Sequence, residues 1–303
     1  MNIGRNVHLI SGWWNEAKGN TNLFLFSHLI EEEKITLIDT GSSIFPEKAI
    51  FPYMKRAKLD TRDISLILNT HGHIDHMGGN AIVKKISNAN IAAHELEVPY
   101  IENHELSFRN RTISPERKKR IFSLMGENTK VEIVLHNGDS IDIGNGRKLN
   151  VILTPGHSPG SISFYDEEEK VLFSGDAVFL GETVVKMPAY SDVDAYIQSL
   201  KRVGELKLNY LLTSHYPPLR GSNIASALKQ CLKLVKDIHQ TVLTTLFEFQ
   251  KLSKTSDIAY AVSNILDYSP NSRTIEAHLN KLAIEDQVEK QVKNNDHFWI
   301  LKQ

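Results

Sequence analysis

Cysteine is nearly missing from this chain of 303 residues: Cys231 stands alone, so no intramolecular disulfide can staple the fold. No segment approaches the roughly eighteen uninterrupted apolar residues that a membrane-spanning helix requires, since the longest candidate, residues 23–30, is broken by Ser27 and His28. An excess of either charge is also lacking, with 35 Lys and Arg against 36 Asp and Glu. No global field therefore argues for a nucleic acid or an anionic membrane as partner. The opening residues, from Met1 to Trp14, lack the basic stretch followed by an apolar run that a secretory signal needs, and the expected location is the cytoplasm. Prolines number only ten, with 41% of residues hydrophobic and 23% charged. That is the composition of a folded globular chain with a sizeable core, not of a disordered one.

At this length one large domain with a modest appendage is the expectation. The beginning reads as sheet: strands at 7–11, 23–29 and 34–39, with turn chemistry at Gly19-Asn20 and an acidic turn at Glu31-Glu32-Glu33. A helical pattern over 46–58 precedes a short apolar strand at 64–68, and a second helix is expected over 78–86. Residues 91–93 read as strand and 95–126 as a charged helical insertion, with Pro115 near a helix start. Strand signals return at 131–135, 140–143, 149–153, 161–165, 171–174, 183–186 and 210–213, with a helix over 192–203. Past Gly221 the pattern changes: Ile224, Leu228, Leu232, Val235, Ile238, Val242, Leu246 and Phe249 recur at helical spacing. Two shorter helices, 257–266 and 274–282, and a terminal hairpin, 287–292 with 298–301, follow it, and helices ahead of a wing resemble a winged-helix module. The expected domains are therefore 1–221 and a mostly helical 222–303.

The densest chemistry lies at Thr70-His71-Gly72-His73-Ile74-Asp75-His76-Met77-Gly78-Gly79, directly after a strand and before a helix. A loop tied at both ends lets His71 and His73 converge on one ion while Asp75 and His76 turn toward a second. Further ligands are expected at strand ends. His157 stands in the glycine-bearing loop Thr154-Pro155-Gly156-His157-Ser158-Pro159-Gly160, Asp176 follows the strand over 171–174, and His215 follows the strand over 210–213. Imidazole nitrogens and carboxylate oxygens suit Zn²⁺ best, with Fe and Mn²⁺ also compatible. The competing reading is a solvated polar turn, against which stands the strand–loop–helix context.

In this order of motifs, H-x-H-x-D-H, then Gly-His, Gly-Asp and Ser-His, residues 1–221 resemble the metallo-β-lactamase superfamily. The resemblance implies an α+β fold, a four-layer αββα sandwich with the site at one edge. It implies two divalent metal ions, His71, His73 and His157 holding one and Asp75, His76 and His215 the other, with Asp176 bridging. Residues 37–41 are similar to the family's early strand, which makes Asp39 a partner that orients a ligand histidine; its plainer role is a strand-end turn. The penicillin-degrading members carry a cysteine ligand or lack the bridging aspartate, which argues against antibiotic hydrolysis here. The flavodiiron branch has glutamate at the position of His73, which argues against oxygen reduction.

Two cations sharing a carboxylate lower the pKa of a water between them toward neutrality, so the expected chemistry is hydrolysis by a metal-bridging hydroxide. Asp75, besides ligation, is the expected acceptor or relay of the proton. Tyr190 and Tyr216 are expected at the substrate pocket, with Tyr196 near them; as aromatics flanking a helix, Tyr190 and Tyr196 also suit a core. Trp13 and Trp14 fit either an apolar flap or ordinary strand packing. The remaining eight histidines have no partner at ligand spacing. The run Arg117-Lys118-Lys119-Arg120 fits a solvated helix face or a phosphate contact. Residues 222–303 carry ten basic and nine acidic side chains, without the bias of a dedicated nucleic-acid binder.

The leading reading is a hydrolase of a small thioester or ester, because residues 154–161 and 174–177 look closest to the glyoxalase II branch. The rivals are a lactonase, an endoribonuclease acting on single-stranded RNA, since the β-lactamase-like 2 branch also joins this core to a helical, winged-helix-like tail, and a non-catalytic ligand sensor. The long amphipathic helix adds the expectation of a homodimer.

Overall fold

A computed structural model describes residues 3–15, 22–108, 114–180, 189–266, 270–293 and 296–302. The chain forms two compact units. One comprises Met1–Leu153, Gly160–Asp176 and Lys207–Gly221, the other Thr154–Pro159, Ala177–Leu206 and Ser222–Gln303.

The first unit is built on two mixed six-stranded sheets. Strands β1 (Val7–Asn15), β2 (Asn22–Glu31), β3 (Ile35–Ile38), β4 (Ile64–Leu68), β5 (Asn90–His94) and β6 (Ile133–Leu135) lie side by side in chain order. The first three pair antiparallel and β3 to β6 run parallel. The second sheet has the order β12 (Leu219–Arg220), β11 (Tyr210–Thr213), β10 (Val171–Gly175), β9 (Ile162–Asp166), β8 (Lys148–Leu153), β7 (Ser140–Asp142), with only β10 and β11 parallel. Parallel strands need crossovers, and these supply α1 (Phe51–Ala57), α2 (Ile74–Met77), α3 (Asn80–Ser87), α4 (Val98–Glu102) and α5 (Pro115–Met125).

The period-two alternation of strand side chains divides the core. Ile38, Leu66, Leu68 and Ala92 of the first sheet meet Val151, Phe164, Phe173 and Leu212 of the second. Leu37, Ile67, Ile91 and Ala93 face the opposite way, against Met54, Met77, Val83 and Ile101 from the helices. Each of the larger aliphatic and aromatic side chains among them, fully buried, stabilises the fold by about 1.5–3 kcal/mol. Between the sheets' edges Arg147 is fully buried and paired, its guanidinium 2.6 Å from Asp166 Oδ2 and 3.0 Å from Glu32 Oε1.

The second unit contains α6 (Val193–Glu205), α7 (Ser222–Phe249), β13 (Ser253–Lys254), α8 (Thr255–Ile265), α9 (Ser272–Ile284), β14 (Val288–Lys293) and β15 (Asp296–Leu301). Ile224, Leu228, Val235, Ile238, Val242 and Leu246 are the buried stripe of α7, as their spacing predicts. Helices α8 and α9 then lead into the hairpin β14–β15, which β13 extends to three strands. Two bonds tie the stretch around α6 into this unit: Cys231 Sγ donates to Phe179 O at 3.1 Å, and Lys281 Nζ meets Asp194 Oδ1 at 2.8 Å.

The expected α+β class, two mixed sheets with helices and a mostly helical C-terminal part, is borne out. Within the first unit the expected insertion over 95–126 proves to be α4, a 3₁₀ turn at His104–Phe108 and α5. Asp75 and His76 lie on their own single turn, α2, ahead of the expected helix. The strand expected over 183–186, the turns Gly19-Asn20 and Asn294-Asn295, the rings of Trp13 and Trp14 and the side chain of Arg117 lie outside the described residues. Among the described residues no helix is long and apolar enough to cross a membrane.

Candidate metal centre

The site grows from two neighbouring strand ends. Parallel pairing of β3 and β4 carries on just past the end of β3, with Asp39 N–H donating to Leu68 O at 3.0 Å. Asp39 takes the left-handed backbone conformation, φ +57°, which aspartate tolerates better than most residues. Its buried carboxylate accepts the Thr70 N–H at 2.9 Å, the Thr70 hydroxyl at 2.8 Å and His76 Nδ1 at 2.8 Å. A carboxylate only accepts, so His76 donates a proton from Nδ1 and turns Nε2 inward. The same loop is tied from behind. Thr40 N–H donates to His76 O at 2.7 Å, the Thr40 hydroxyl to Asn80 Oδ1 at 2.8 Å, and Asn80 Nδ2 to Asn69 Oδ1 at 2.7 Å.

Around His76 Nε2 the first unit gathers two carboxylates and a second imidazole. Nε2 lies 3.5 Å from Asp176 Oδ1 and 3.8 Å from Asp75 Oδ2; His215 Nε2 lies 3.2 and 3.5 Å from the same two atoms. Asp176 arrives on the turn that closes β10. Gly175 before it has φ +51°, and a Cβ there would stand 2.6 Å from Thr70 Oγ1, so only glycine lets this strand end approach the loop. His71 Nε2 and His73 Nδ1 face each other at 2.9 Å. His71, His76 and Asp176 present ligand atoms within 4.8 Å of one another, as do Asp75, His76 and His215.

The electrostatics of this cluster suit a cation. Burial works against a charged His76, but Asp176, Asp39 and Asp75 outweigh it and hold the imidazole pKa well above the usual value. His215 is raised in the same way, burial being overcome by Asp176 and Asp75. His76 Nε2 is buried and makes no hydrogen bond. A buried nitrogen of this kind, set among carboxylates, is chemically complete with a divalent ion.

His157 lies in the second unit, on the loop Thr154–Pro159. It is buried, and its Nδ1 donates to Ala189 O at 2.5 Å, which makes Nε2 the accepting nitrogen of the ring. The loop is pinned by Ser199 Oγ donating to Pro155 O at 2.7 Å and Ser191 N–H donating to Gly156 O at 2.7 Å.

The pocket residues fare differently. Tyr190 has no exposed surface: it stacks on Tyr196 with ring centroids 4.7 Å apart, and its hydroxyl is hydrogen-bonded to His278 Nε2 at 2.8 Å. It is a core aromatic of the second unit, and its ring offers a substrate no surface, contrary to the expectation. Tyr216 is half-buried, its N–H donating to Thr213 Oγ1 at 3.0 Å beside His215. Sequence reasoning passes over Thr70, the Asn69–Asn80 pair, Glu97 and His278. Only Thr70, next to the motif, carries any local signal.

A cluster of this kind suits a metal ion, and the chain belongs to the metallo-β-lactamase superfamily, whose family profile matches residues 20–215. Among its relatives is the human acyl-coenzyme A thioesterase MBLAC2, 30% identical over 217 residues, covering 67% of this chain and 74% of that protein. The probable metallo-hydrolase YflN of Bacillus subtilis (strain 168) is 26% identical over 236 residues, 72% of this chain and 88% of that one. A metallo-β-lactamase family protein from Thermus thermophilus shares the fold over 98% of this chain and 99% of its own, with a TM-score of 0.76 at 19% identity.

Proposed function

We propose that this chain is a dinuclear, zinc-dependent hydrolase of small acyl thioesters. One observation carries the reading: the buried constellation of His76, His215, Asp75 and Asp176, with a His76 nitrogen that no hydrogen bond satisfies. In this reading His71, His73, Asp75, His76, Asp176 and His215 of the first unit would hold the ions, and His157 is a further candidate ligand. Bound divalent ions supply Lewis acidity toward a carbonyl oxygen and bring the pKa of water near neutrality.

The chain's own residues supply orientation and proton traffic. Asp39 keeps the proton on His76 Nδ1, so the ring presents its other nitrogen in one orientation. The Ala189 carbonyl does the same for His157. Asp75 is less deeply buried than Asp176, and it accepts at its carboxylate the proton released as water adds to the thioester carbon. It returns that proton to the thiolate as the C–S bond breaks, leaving a free thiol and a carboxylic acid that ionises by releasing its remaining proton to water. Support for a thioester comes from the relative named as an acyl-coenzyme A thioesterase; an oxygen ester or a lactone needs the same groups.

The test is a screen of zinc-loaded protein and its Asp176→Ala variant against acyl-coenzyme A thioesters, p-nitrophenyl esters, a homoserine lactone, bis-p-nitrophenyl phosphate and a short single-stranded RNA. Thioester cleavage that disappears with the variant and with chelator is the expected result. Cleavage of RNA or phosphodiester alone overturns the thioester reading, and inactivity on every class favours a ligand sensor.

A further inference from the structure

Glu97, at the start of α4, stands in a segment whose sequence pattern points to no role. It is 3% exposed, and its side chain makes no capping hydrogen bond to the start of α4. Oε2 accepts the N–H of Gly72 at 2.9 Å, and Oε1 accepts the N–H of Gly160 at 2.8 Å. Gly72 lies between His71 and His73. Gly160 is the residue at which the His157 loop re-enters the first unit, ahead of β9. One buried carboxylate therefore ties the residue between two candidate ligands to a backbone position 88 residues further along the chain of the same unit.

The two glycines are shaped around it. A Cβ on Gly160 would stand 2.8 Å from Glu97 Cγ and 2.9 Å from Oε1, and one on Gly72 would stand 3.0 Å from Oε2. The Gly160 contacts leave no room for a side chain while the carboxylate keeps its place, and the Gly72 contact is tight. Ionised carboxylates make roughly twice the hydrogen-bond strength of neutral acceptors, and burying one is tolerated only where such donors meet it. A simple helix-start role is the plainer alternative, since acids are favoured there. That role uses the helix's own N–H groups, whereas these bonds reach 25 and 63 residues along the chain.

We infer that Glu97 is a positioning residue of the metal centre, its carboxylate fixing the backbone of the His71–Gly72–His73 turn against Gly160 at the approach to β9. The inference rests on the metal reading proposed above. Glutamine has the same shape but only one accepting oxygen; its NH₂ confronts one of the two N–H donors, so Glu97→Gln releases one loop.

Full-length wild type and Glu97→Gln are stripped with chelator and titrated with Zn²⁺ against a chromophoric competitor, with the thermal midpoint of each metal-free protein recorded. Wild type is expected to take two ions. The variant is expected to hold one as wild type does and the other about 10–100-fold more weakly, the usual cost of losing a group that orients ligands. Gly160→Ala, which displaces the carboxylate without removing it, is expected to reproduce that loss and carries the test if Glu97→Gln does not fold. In nuclear magnetic resonance spectra of the metal-free protein the amide protons of Gly72 and Gly160 are expected to shift in Glu97→Gln. A purely structural role predicts a lowered midpoint with both ions bound at wild-type affinity, and that result overturns the inference. Wild type that takes no divalent ion overturns the metal reading and the inference with it. Two ions in wild type and an indistinguishable Glu97→Gln overturn the role of Glu97 alone.

Discussion

His76 and His278 are equally inaccessible to solvent, one in the sheet unit and one in the helical unit, yet they carry opposite proton preferences. Burial pushes both toward the neutral form. Around His278 the charges that act, those of His239 and Lys281, push the same way, and its pKa falls to about 3. Around His76 the carboxylates of Asp176, Asp39 and Asp75 reverse the effect of burial. Depth alone therefore does not mark a site. A buried histidine among carboxylates is a place for a cation, and one among rings is a packing element with a hydrogen bond to satisfy.

The strongest way to break this comparison is to remove the carboxylate that both site imidazoles face. Asp176→Ala is expected to bring thioester hydrolysis down to the level of buffer and to reduce zinc uptake below two ions, read by elemental analysis after gel filtration. A variant that still binds two ions and turns over shows that the carboxylates around His76 are not the functional feature.

Asp39→Asn is a gentler probe of the same contrast. Asparagine tolerates the left-handed backbone at this position, so the fold is expected to persist, but the amide no longer matches all three donors that Asp39 meets. Zinc affinity is expected to fall about 10–100-fold, measured by competition titration. An unchanged affinity would mean that the His76 ring is oriented by its packing rather than by its proton.

On the other side of the comparison, His278→Leu takes away the partner of the buried Tyr190 hydroxyl. The expected loss of stability is about 1–3 kcal/mol, seen as a lower urea midpoint, with zinc stoichiometry unchanged. A loss of bound zinc in this variant would mean that the segment after residue 188 governs His157 through Ala189 more tightly than the hydrogen bond to its carbonyl implies.

Acid supplies a fourth test. His28, buried against the ring of Phe173, and His278 both have folded pKa values lowered to about 3 by burial. Their unfolded forms protonate near the ordinary value of 6.5. The stability these neutral rings contribute is therefore complete above the unfolded value and is lost as pH falls from about 6.5 toward 3. The slope is at most about 1.4 kcal/mol per pH unit for each group. Urea midpoints between pH 7 and 4 are expected to decline less steeply in His278→Leu than in wild type; equal slopes would show that His278 is protonated in the native state.

The half of the site written in local sequence is readable without the structure. A histidine cluster between strand and helix, an acid directly after β10 and an imidazole two residues past β11 announce themselves by position. Asp39 is readable because it ends a strand. What escapes depends on contacts without periodicity. Glu97 joins residues 72 and 160, and nothing in the run His94-Glu95-Leu96-Glu97 distinguishes it from the acid two residues earlier. Tyr190 suggests a pocket residue because it follows Asp176 in the chain, but its partner is 88 residues away, on a helix whose own pattern shows only an apolar stripe. Local pattern reports which face of an element is buried and stays silent on which buried polar groups will meet.

Cys231 gives the smallest expected effect and sharpens the contrast from the opposite end. Its thiol is 2% exposed, donates to the Phe179 carbonyl and is pushed up to about 12 by burial. At neutral pH the thiolate, the reactive form, is then essentially absent, and a reagent cannot reach the sulfur without local opening of α7. Iodoacetamide is expected to leave the native protein unlabelled and its activity unchanged, and to modify the cysteine once urea unfolds the helical unit. Labelling of native protein at a rate far above that of unfolding would mean that the helical unit opens on its own. Its buried groups, His278 among them, would then be sampled by solvent far more often than the groups around His76.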